Sequence, residues 1–311
     1  MTPAAASPIR AFVVWVLCLL GAVLLADAAI AQPDELSGRV GRIADVQGKA
    51  WIHDDEQGRW VEAWRNAALT AGDRLSVERG GRLQAGIGST ELRLDGDTEV
   101  EFERLDDERI SVRVHSGRLA VRVRSREVAR EVEILAGAVR GWPDRVGHYR
   151  VEREDGVSSW TAWRGSLRVD TRDQRITVEA GRSVDLYREG RDATVVTWGA
   201  VAQDAFSDWV ARDEDRDDRR AESSRYVSPE MTGADELDRH GRWERHPEWG
   251  MVWYPLSIAA DWAPYRHGRW IWRVRWGWTW VDDAPWGFAS SHYGRWAHWR
   301  GRWVWVPGSY V

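Results

Sequence analysis

Tryptophan alternates with other residue types between Gly268 and Trp280 of this 311-residue chain. Successive side chains of a strand point to opposite faces, so the even-numbered tryptophans would form one indole face and the odd-numbered arginines the other. Indoles can stack on the apolar faces of sugar rings, and arginine pairs with carboxylates. The candidate ligand-binding or partner-binding residues are therefore Trp270, Trp272, Trp278, Trp280, Arg269, Arg273 and Arg275.

A purely structural role for these rings is the alternative. Fourteen of the 23 tryptophans lie from Trp243 onward, and cross-strand aromatic pairs stabilise a sheet by roughly 0.2–1 kcal/mol each. Most aromatic stripes belong to a core. The sequence therefore favours packing as the role of most rings, although a small domain cannot bury all of them and some should stay exposed.

Histidines in the Trp-rich part raise the question of a metal site. His240 and His267 each precede a Gly-Arg-Trp triplet, and Tyr293 precedes the third triplet. A position that accepts either residue type indicates packing rather than metal ligation. His292 and His298 remain the alternative as ligands. The chain has no cysteine after residue 31, which excludes thiolate sites from that part.

Two adjacent carboxylates, Asp282 and Asp283, resemble a glycosidase pair only superficially. Neighbouring strand residues point to opposite faces and cannot flank one glycosidic bond, so turn capping is the better interpretation. The sequence contains no hydrolase, metalloprotease or nucleotide-binding motif. We therefore expect no enzyme activity, no cofactor and no bound metal. A net charge of −5 without a strongly basic domain also argues against nucleic-acid binding.

The tryptophans belong to a repeat that begins at Gly241, Gly268 and Gly294 with the triplet Gly-Arg-Trp. Each unit reads as an extended arm, a turn with glycine and a return strand. The sequence thus predicts a Trp-rich domain of β-hairpin repeats over residues 241–311. Residues 199–240 precede it as a charged helical linker, in which Ala202, Phe206, Trp209 and Val210 have helical spacing.

Period-two alternation with frequent turn signals marks residues 38–198 as an antiparallel β domain, either a sandwich or a short solenoid. The chain as a whole is predicted to be mainly β. The residues expected to face inward are Leu92, Leu94, Val100, Phe102, Val112, Val114, Leu119, Val121 and Val123.

Four segments of this β domain resemble the FecR family: Leu69–Phe102 with its Gly-Asp turn, Gly117–Val123, Gly147–Glu152 and Thr177–Leu186. The resemblance implies an envelope protein whose domain docks a protein partner, in a family where some members relay signals to a sigma factor. The resemblance implies that this chain contains the domain of the family, but not that the chain relays a signal to a sigma factor. Residues 226–308 are similar to a Trp-rich family of unknown function that follows FecR-like domains in bacterial envelope proteins, through motifs such as YVSPEMTG, DWAPYRHGRW and VWVPG.

Residues 1–31 read as a signal peptide, with Arg10, an apolar run from Ala11 to Ala26 and the cleavage motif Ala29-Ile30-Ala31. The run of 16 residues is shorter than the roughly 20 that span a bilayer. We therefore expect a periplasmic or secreted protein, with membrane contact only through an uncleaved signal segment.

Two functions remain open from the sequence. The favoured one is a non-enzymatic, FecR-like protein-interaction or scaffolding module of the cell envelope, linked to envelope signalling. The alternative is binding of a cell-wall glycan, either peptidoglycan or an anionic polysaccharide, through exposed tryptophans of the repeats.

Overall fold

Short strands separated by glycine turns make up most of the protein, as the alternation predicts. The computed structural model describes residues 38–54, 58–189, 193–218, 222–273 and 276–308. The predicted signal peptide at 1–31 and the candidate residue Arg275 lie outside the described residues. All described residues belong to one compact unit, Ser37–Val311.

Seventeen strands form the β domain within the described part of the chain. They are β1 (Gly41–Gln47), β2 (Ala50–Asp54), β3 (Arg59–Glu62), β4 (Ala68–Leu69), β5 (Arg74–Val77), β6 (Arg82–Ile87), β7 (Thr90–Leu94), β8 (Thr98–Leu105), β9 (Ile110–Val123), β10 (Val132–Ala136), β11 (Val139–Pro143), β12 (Gly147–Glu154), β13 (Val157–Arg164), β14 (Ser166–Asp170), β15 (Arg175–Glu179), β16 (Arg182–Glu189) and β17 (Ala193–Ala200).

The long strand β9 passes from one sheet into a second. Its first half pairs with β8 and, in parallel, with β10, and its second half pairs antiparallel with β7 and β12. The change occurs near Gly117, whose φ of +81° suits glycine. One sheet has the order β3-β2-β5-β8-β9-β10-β11-β14-β15, and the other has the order β4-β1-β6-β7-β9-β12-β13-β16-β17.

A single apolar core lies between the two sheets. Trp160 of β13 is fully buried and reaches across to β11, where a Cβ on Gly141 would lie 2.3 Å from its ring. All nine residues predicted to face inward are buried. The mainly β prediction is confirmed, and the architecture is that of a sandwich rather than a solenoid.

Four α-helices interrupt the strands of the described chain: α1 (Arg126–Ala129), α2 (Ala205–Asp218), α3 (Leu237–His240) and α4 (Gly287–His292). Helix α2 begins three residues later than the spacing from Ala202 predicts. Asp204 caps the N-terminus of the helix, because its carboxylate accepts a hydrogen bond from the Ser207 backbone N–H at 2.8 Å. The helix therefore begins at the residue after Asp204. Phe206 and Trp209 then pack on Ala120 of the sandwich. Among the described residues, no helix has both the length and the apolar composition needed to cross a membrane.

Residues 222–240, which precede the first hairpin, pack against the β domain. Thr232 donates to the Val40 carbonyl at 2.8 Å and accepts from the Gly88 N–H at 2.9 Å. The Arg42 guanidinium, which is buried, lies 3.1 Å from the Asp235 carboxylate. These contacts join residues 228–240 of the predicted linker to strand β1 and to the turn between β6 and β7.

The three predicted hairpins are present as six strands: β18 (Gly241–His246), β19 (Gly250–Pro255), β20 (Gly268–Arg273), β21 (Gly277–Asp282), β22 (Arg295–Trp299) and β23 (Arg302–Val306). The first and third hairpins join into a four-stranded sheet of order β18-β19-β23-β22, and β20 and β21 pair with each other. Each return strand begins at a glycine or directly after one: Gly250, Gly277 and Gly301. These glycines have φ near +77°, a conformation that favours glycine.

Candidate functional site

The register of the second hairpin produces the predicted indole face. Trp270 is directly opposite Trp280, and Trp272 is directly opposite Trp278. Opposed residues of an antiparallel pair share a face, so all four indoles project to the same side. The two pairs meet edge to face, with ring centroids 5.4 and 5.6 Å apart. We call these four residues the indole face.

Most of the indole face is open to solvent. Trp270, Trp272 and Trp278 are 55%, 53% and 65% exposed, whereas Trp253 and Trp305 of the other two hairpins are completely buried. Large apolar side chains are seldom left this exposed side by side unless they serve a contact. The expectation that most tryptophans of the repeats pack while some stay exposed thus agrees with the structure, and the exposed rings Trp270, Trp272 and Trp278 all lie on the second hairpin.

The opposite face of this hairpin packs against the sandwich. Arg273 is 3% exposed, donates to the Ala68 carbonyl at 2.6 Å and lies 3.2 Å from the Asp73 carboxylate. The Arg269 guanidinium lies 4.6 Å from the centroid of the Trp64 ring. The face that carries arginine is therefore the inner one, which leaves the indoles outside.

These positions correct two of the predicted site residues. Arg273 is occupied by a buried ion pair and cannot reach a ligand at the surface, although the sequence offered it as a contact for ligand carboxylates. Trp280 is only 6% exposed, since Tyr265 and Trp270 both contact its ring. Arg269 is exposed but stacks on Trp64, on the side away from the indoles.

A second anchor fixes the end of strand β21. The Asn66 side-chain amide donates to the carbonyls of Asp282 and Ala284 at 3.0 and 2.8 Å. The Asp282 carboxylate accepts from the Trp280 indole N–H and from the Ala284 backbone N–H, so its role is turn capping, as predicted. Burial raises the pKa of Asp282, and these two hydrogen bonds oppose that rise.

An open cleft of about 530 Å³ lies beside strand β21. The hairpin forms one wall, helix α4 and Tyr293 form another, and Gly38 and Val40 contribute from the segment before β1. Its aromatic lining consists of Tyr265, Trp270, Trp276, Trp278, Trp280, Phe288, His292 and Tyr293. The volume is within the range of roughly 300–1,000 Å³ that is typical of small-ligand sites.

Polar groups in the cleft are few and uncharged. The Tyr265 hydroxyl donates to the Ser291 carbonyl at 3.2 Å. Desolvation lowers the pKa of His292 to about 4, although a hydrogen bond to the Trp280 backbone opposes this shift. The imidazole is thus neutral at pH 7. Sequence reasoning missed Tyr265 and considered His292 only as a metal ligand, because their proximity to the indoles depends on how α4 packs on β21.

The remaining candidate histidines have structural contacts. His240 lies 3.3 Å from the buried Glu236 carboxylate, and the His298 ring contacts Trp303 edge to face. His246, another histidine of the Trp-rich part, accepts hydrogen bonds from the Glu248 and Trp249 backbone N–H groups in the first hairpin turn. Within the described ranges, no cluster of three potential ligand residues is arranged to hold a metal ion.

Comparison with known proteins supports part of the resemblance seen in the sequence. Residues 234–311 match the model of a family of unknown function, DUF6600, whereas no FecR family model matches. No curated protein matches the chain.

Two crystal structures of a candidate anti-sigma factor from Parabacteroides distasonis, at 1.65 and 2.50 Å resolution, are similar to this chain. Both have a TM-score of 0.37 and 13% sequence identity, and the alignments cover 44% of this chain. The chain spans 64% and 63% of those proteins, which is less than two thirds. So distant a similarity does not assign a function.

Proposed function

We propose that this is a non-enzymatic, exported protein of the cell envelope that binds a cell-wall glycan through the indole face, with the FecR-like sandwich as its scaffold. The observation that carries the proposal is the exposure of Trp270, Trp272 and Trp278, each more than half exposed on one hairpin. Aromatic rings held at a surface provide the apolar platforms on which sugar rings stack.

The anchoring of the hairpin supports this role. Arg273 with Asp73, and Asn66 with the backbone of Asp282, fix the inner face of the hairpin to the sandwich. Such contacts hold the outer rings in place before a ligand arrives, which reduces the entropy lost on binding. A hairpin of two strands alone would be only marginally stable, so the sandwich is needed to present it.

The test is retention of the full mature chain on purified peptidoglycan. We expect the unmodified protein to bind and the double variant Trp272→Ala/Trp278→Ala to lose binding, while its circular dichroism stays the same. Trp60→Ala is the matched control, since Trp60 is 43% exposed but belongs to strand β3 of the sandwich. Equal retention of the double variant and the unmodified protein would contradict the proposal.

A protein-interaction module is the second candidate, and strand β17 favours it. This strand pairs only with β16 in the described structure, and its eight residues carry no charge. Trp198, the sixth of these eight residues, is 44% exposed. Uncharged edge strands are sites where another protein can add a strand. Loss of partner binding in Thr197→Lys, but not in Thr177→Lys on strand β15, would support this function.

A further inference from the structure

The ligand preference of the cleft beside β21 follows from the charge of its walls. Its lining residues are aromatic, aliphatic, glycine, serine, threonine or histidine, and none of those described is an Arg, Lys, Asp or Glu. The two described arginines of the hairpin have other partners: Arg273 pairs with Asp73 and Arg269 lies over Trp64. An anionic sugar would thus lose its hydration in the cleft without gaining a counter-charge.

The polar groups of the cleft suit hydroxyl and amide groups. Ser291, Thr279 and Tyr265 carry hydroxyls, which both donate and accept hydrogen bonds. A neutral imidazole, such as that of His292, does the same with its two ring nitrogens. The Tyr265 hydroxyl donates to the Ser291 carbonyl and the Thr279 hydroxyl donates to the Gly277 carbonyl, and each hydroxyl oxygen can still accept a hydrogen bond. A neutral sugar offers hydroxyl donors to these oxygens and an apolar ring face to Trp270 and Trp278.

We infer that the cleft binds the uncharged sugar units of a glycan chain and selects against carboxylated sugars. This inference rests on the proposed glycan binding and narrows it. It also reverses the expectation from the sequence, in which arginines of the hairpin would meet the carboxylates of an anionic polymer.

Binding of two soluble probes to the full mature chain tests the inference. The neutral probe is a hexamer of N-acetylglucosamine, and the anionic probe is an oligomer of galacturonic acid. Isothermal titration calorimetry should show binding of the neutral probe, with a Kd that changes less than about twofold between about 50 mM and about 500 mM salt, because no ion pair contributes. The anionic probe should bind at least about tenfold more weakly.

Variants connect this binding to the cleft. Trp278→Ala should weaken binding of the neutral probe by about tenfold or more, which corresponds to one stacked ring. Arg269→Gln should leave it unchanged, because Arg269 stacks on Trp64 away from the indoles, and Trp60→Ala serves as the control for an exposed ring elsewhere. Equal thermal unfolding midpoints would show that each variant is folded.

The outcomes separate this inference from the proposed function. Preference for the galacturonic acid oligomer, with affinity that falls at high salt and is lost in Arg269→Gln or Arg275→Gln, would overturn the inference and leave glycan binding intact. Absence of binding to both probes and to peptidoglycan would overturn both. Binding of the neutral probe that Trp278→Ala does not weaken would place the sugar outside the cleft and also overturn the inference.

Discussion

Arg273 and Asp73 are 200 residues apart in the chain, and their side chains form an ion pair of 3.2 Å in the interior. The two side chains are 4% and 0% exposed. Asp73 also accepts hydrogen bonds from the backbone N–H and the hydroxyl of Thr70, which shape the turn before strand β5. A turn of the sandwich therefore determines which face of the second hairpin lies inward, and as a result which face presents its tryptophans.

Replacing Arg273 should be costly. Arg273→Met leaves the Asp73 carboxylate buried without its cation, and breaking such a pair typically costs about 3–5 kcal/mol. The free energy of unfolding, measured by urea denaturation, should fall by about that amount. Arg300→Met is the control, because Arg300 pairs with Glu244 at the surface and exposed pairs contribute roughly 0–1 kcal/mol. Equal effects of the two variants would show that the buried pair does not anchor the hairpin.

Tryptophans of the same repeat should differ strongly in their contribution to stability. Trp253→Ala removes a fully buried ring and should lower the free energy of unfolding by about 3–5 kcal/mol. Trp278→Ala removes a ring that is 65% exposed and should cost less than about 1 kcal/mol. Thermal or urea unfolding of both variants measures the difference. A large loss of unfolding free energy in Trp278→Ala would mean that the indole face is part of a core, which would contradict both binding proposals.

Gly241 shows why the repeat begins with glycine. Its backbone is extended, with φ of −154°, so the reason is space: a Cβ would lie 2.1 Å from the Trp253 ring. Gly241→Ala should therefore destabilise the protein by about 1–3 kcal/mol through overpacking. Gly199→Ala meets no atom within 4 Å, and its unfolding midpoint should stay close to that of the unmodified protein. If Gly241→Ala had no effect, the close approach of Trp253 would be disproved.

Alternation along the sequence was enough to predict the strands, the inward-facing residues and the two faces of the second hairpin. It could not predict which hairpin face is buried, because period two divides residues between two faces without saying what packs on either. That information depends on Asp73, Ala68 and Asn66, which are distant in sequence. The cleft was missed for the same reason, since Tyr265 and His292 meet the indoles only through tertiary packing.

If the protein is exported through a cleaved signal peptide, its mature N-terminus can be predicted. The motif Ala29-Ile30-Ala31 is of the type that signal peptidase cleaves, so the mature protein should begin at Gln32. Mass spectrometry of protein isolated from the periplasm or the medium measures this directly. A chain that retains Met1 in the membrane fraction would instead indicate an anchored protein, and the glycan-binding proposal would then apply to an anchored form.

Acid should destabilise the contact between helix α2 and the sandwich. The Arg150 guanidinium binds both oxygens of the Asp204 carboxylate, at 3.0 and 2.7 Å. Partial burial by itself would raise the pKa of Asp204, but the hydrogen bonds from Arg150 and Ser207 outweigh it and lower the pKa to about 2. A carboxyl group with a pKa lower in the folded state than in the unfolded state binds fewer protons when folded, so it stabilises the fold above its unfolded pKa of about 4. This contribution is lost as the pH falls from about 4 through about 2.

The difference between the unmodified protein and Asp204→Asn isolates this group from other carboxylates. We expect Asp204→Asn to be less stable at about pH 6, and the gap in unfolding free energy to narrow as the pH falls toward about 2. Urea denaturation at several pH values measures the gap. The pH dependence of the Asp282 contribution to stability has the opposite sign. Burial raises the pKa of Asp282, so its contribution to the free energy of unfolding weakens as the pH rises through that pKa. A gap for Asp204→Asn that stays constant from about pH 6 to about pH 2 would show that the carboxylate charge does not hold α2 on the sandwich.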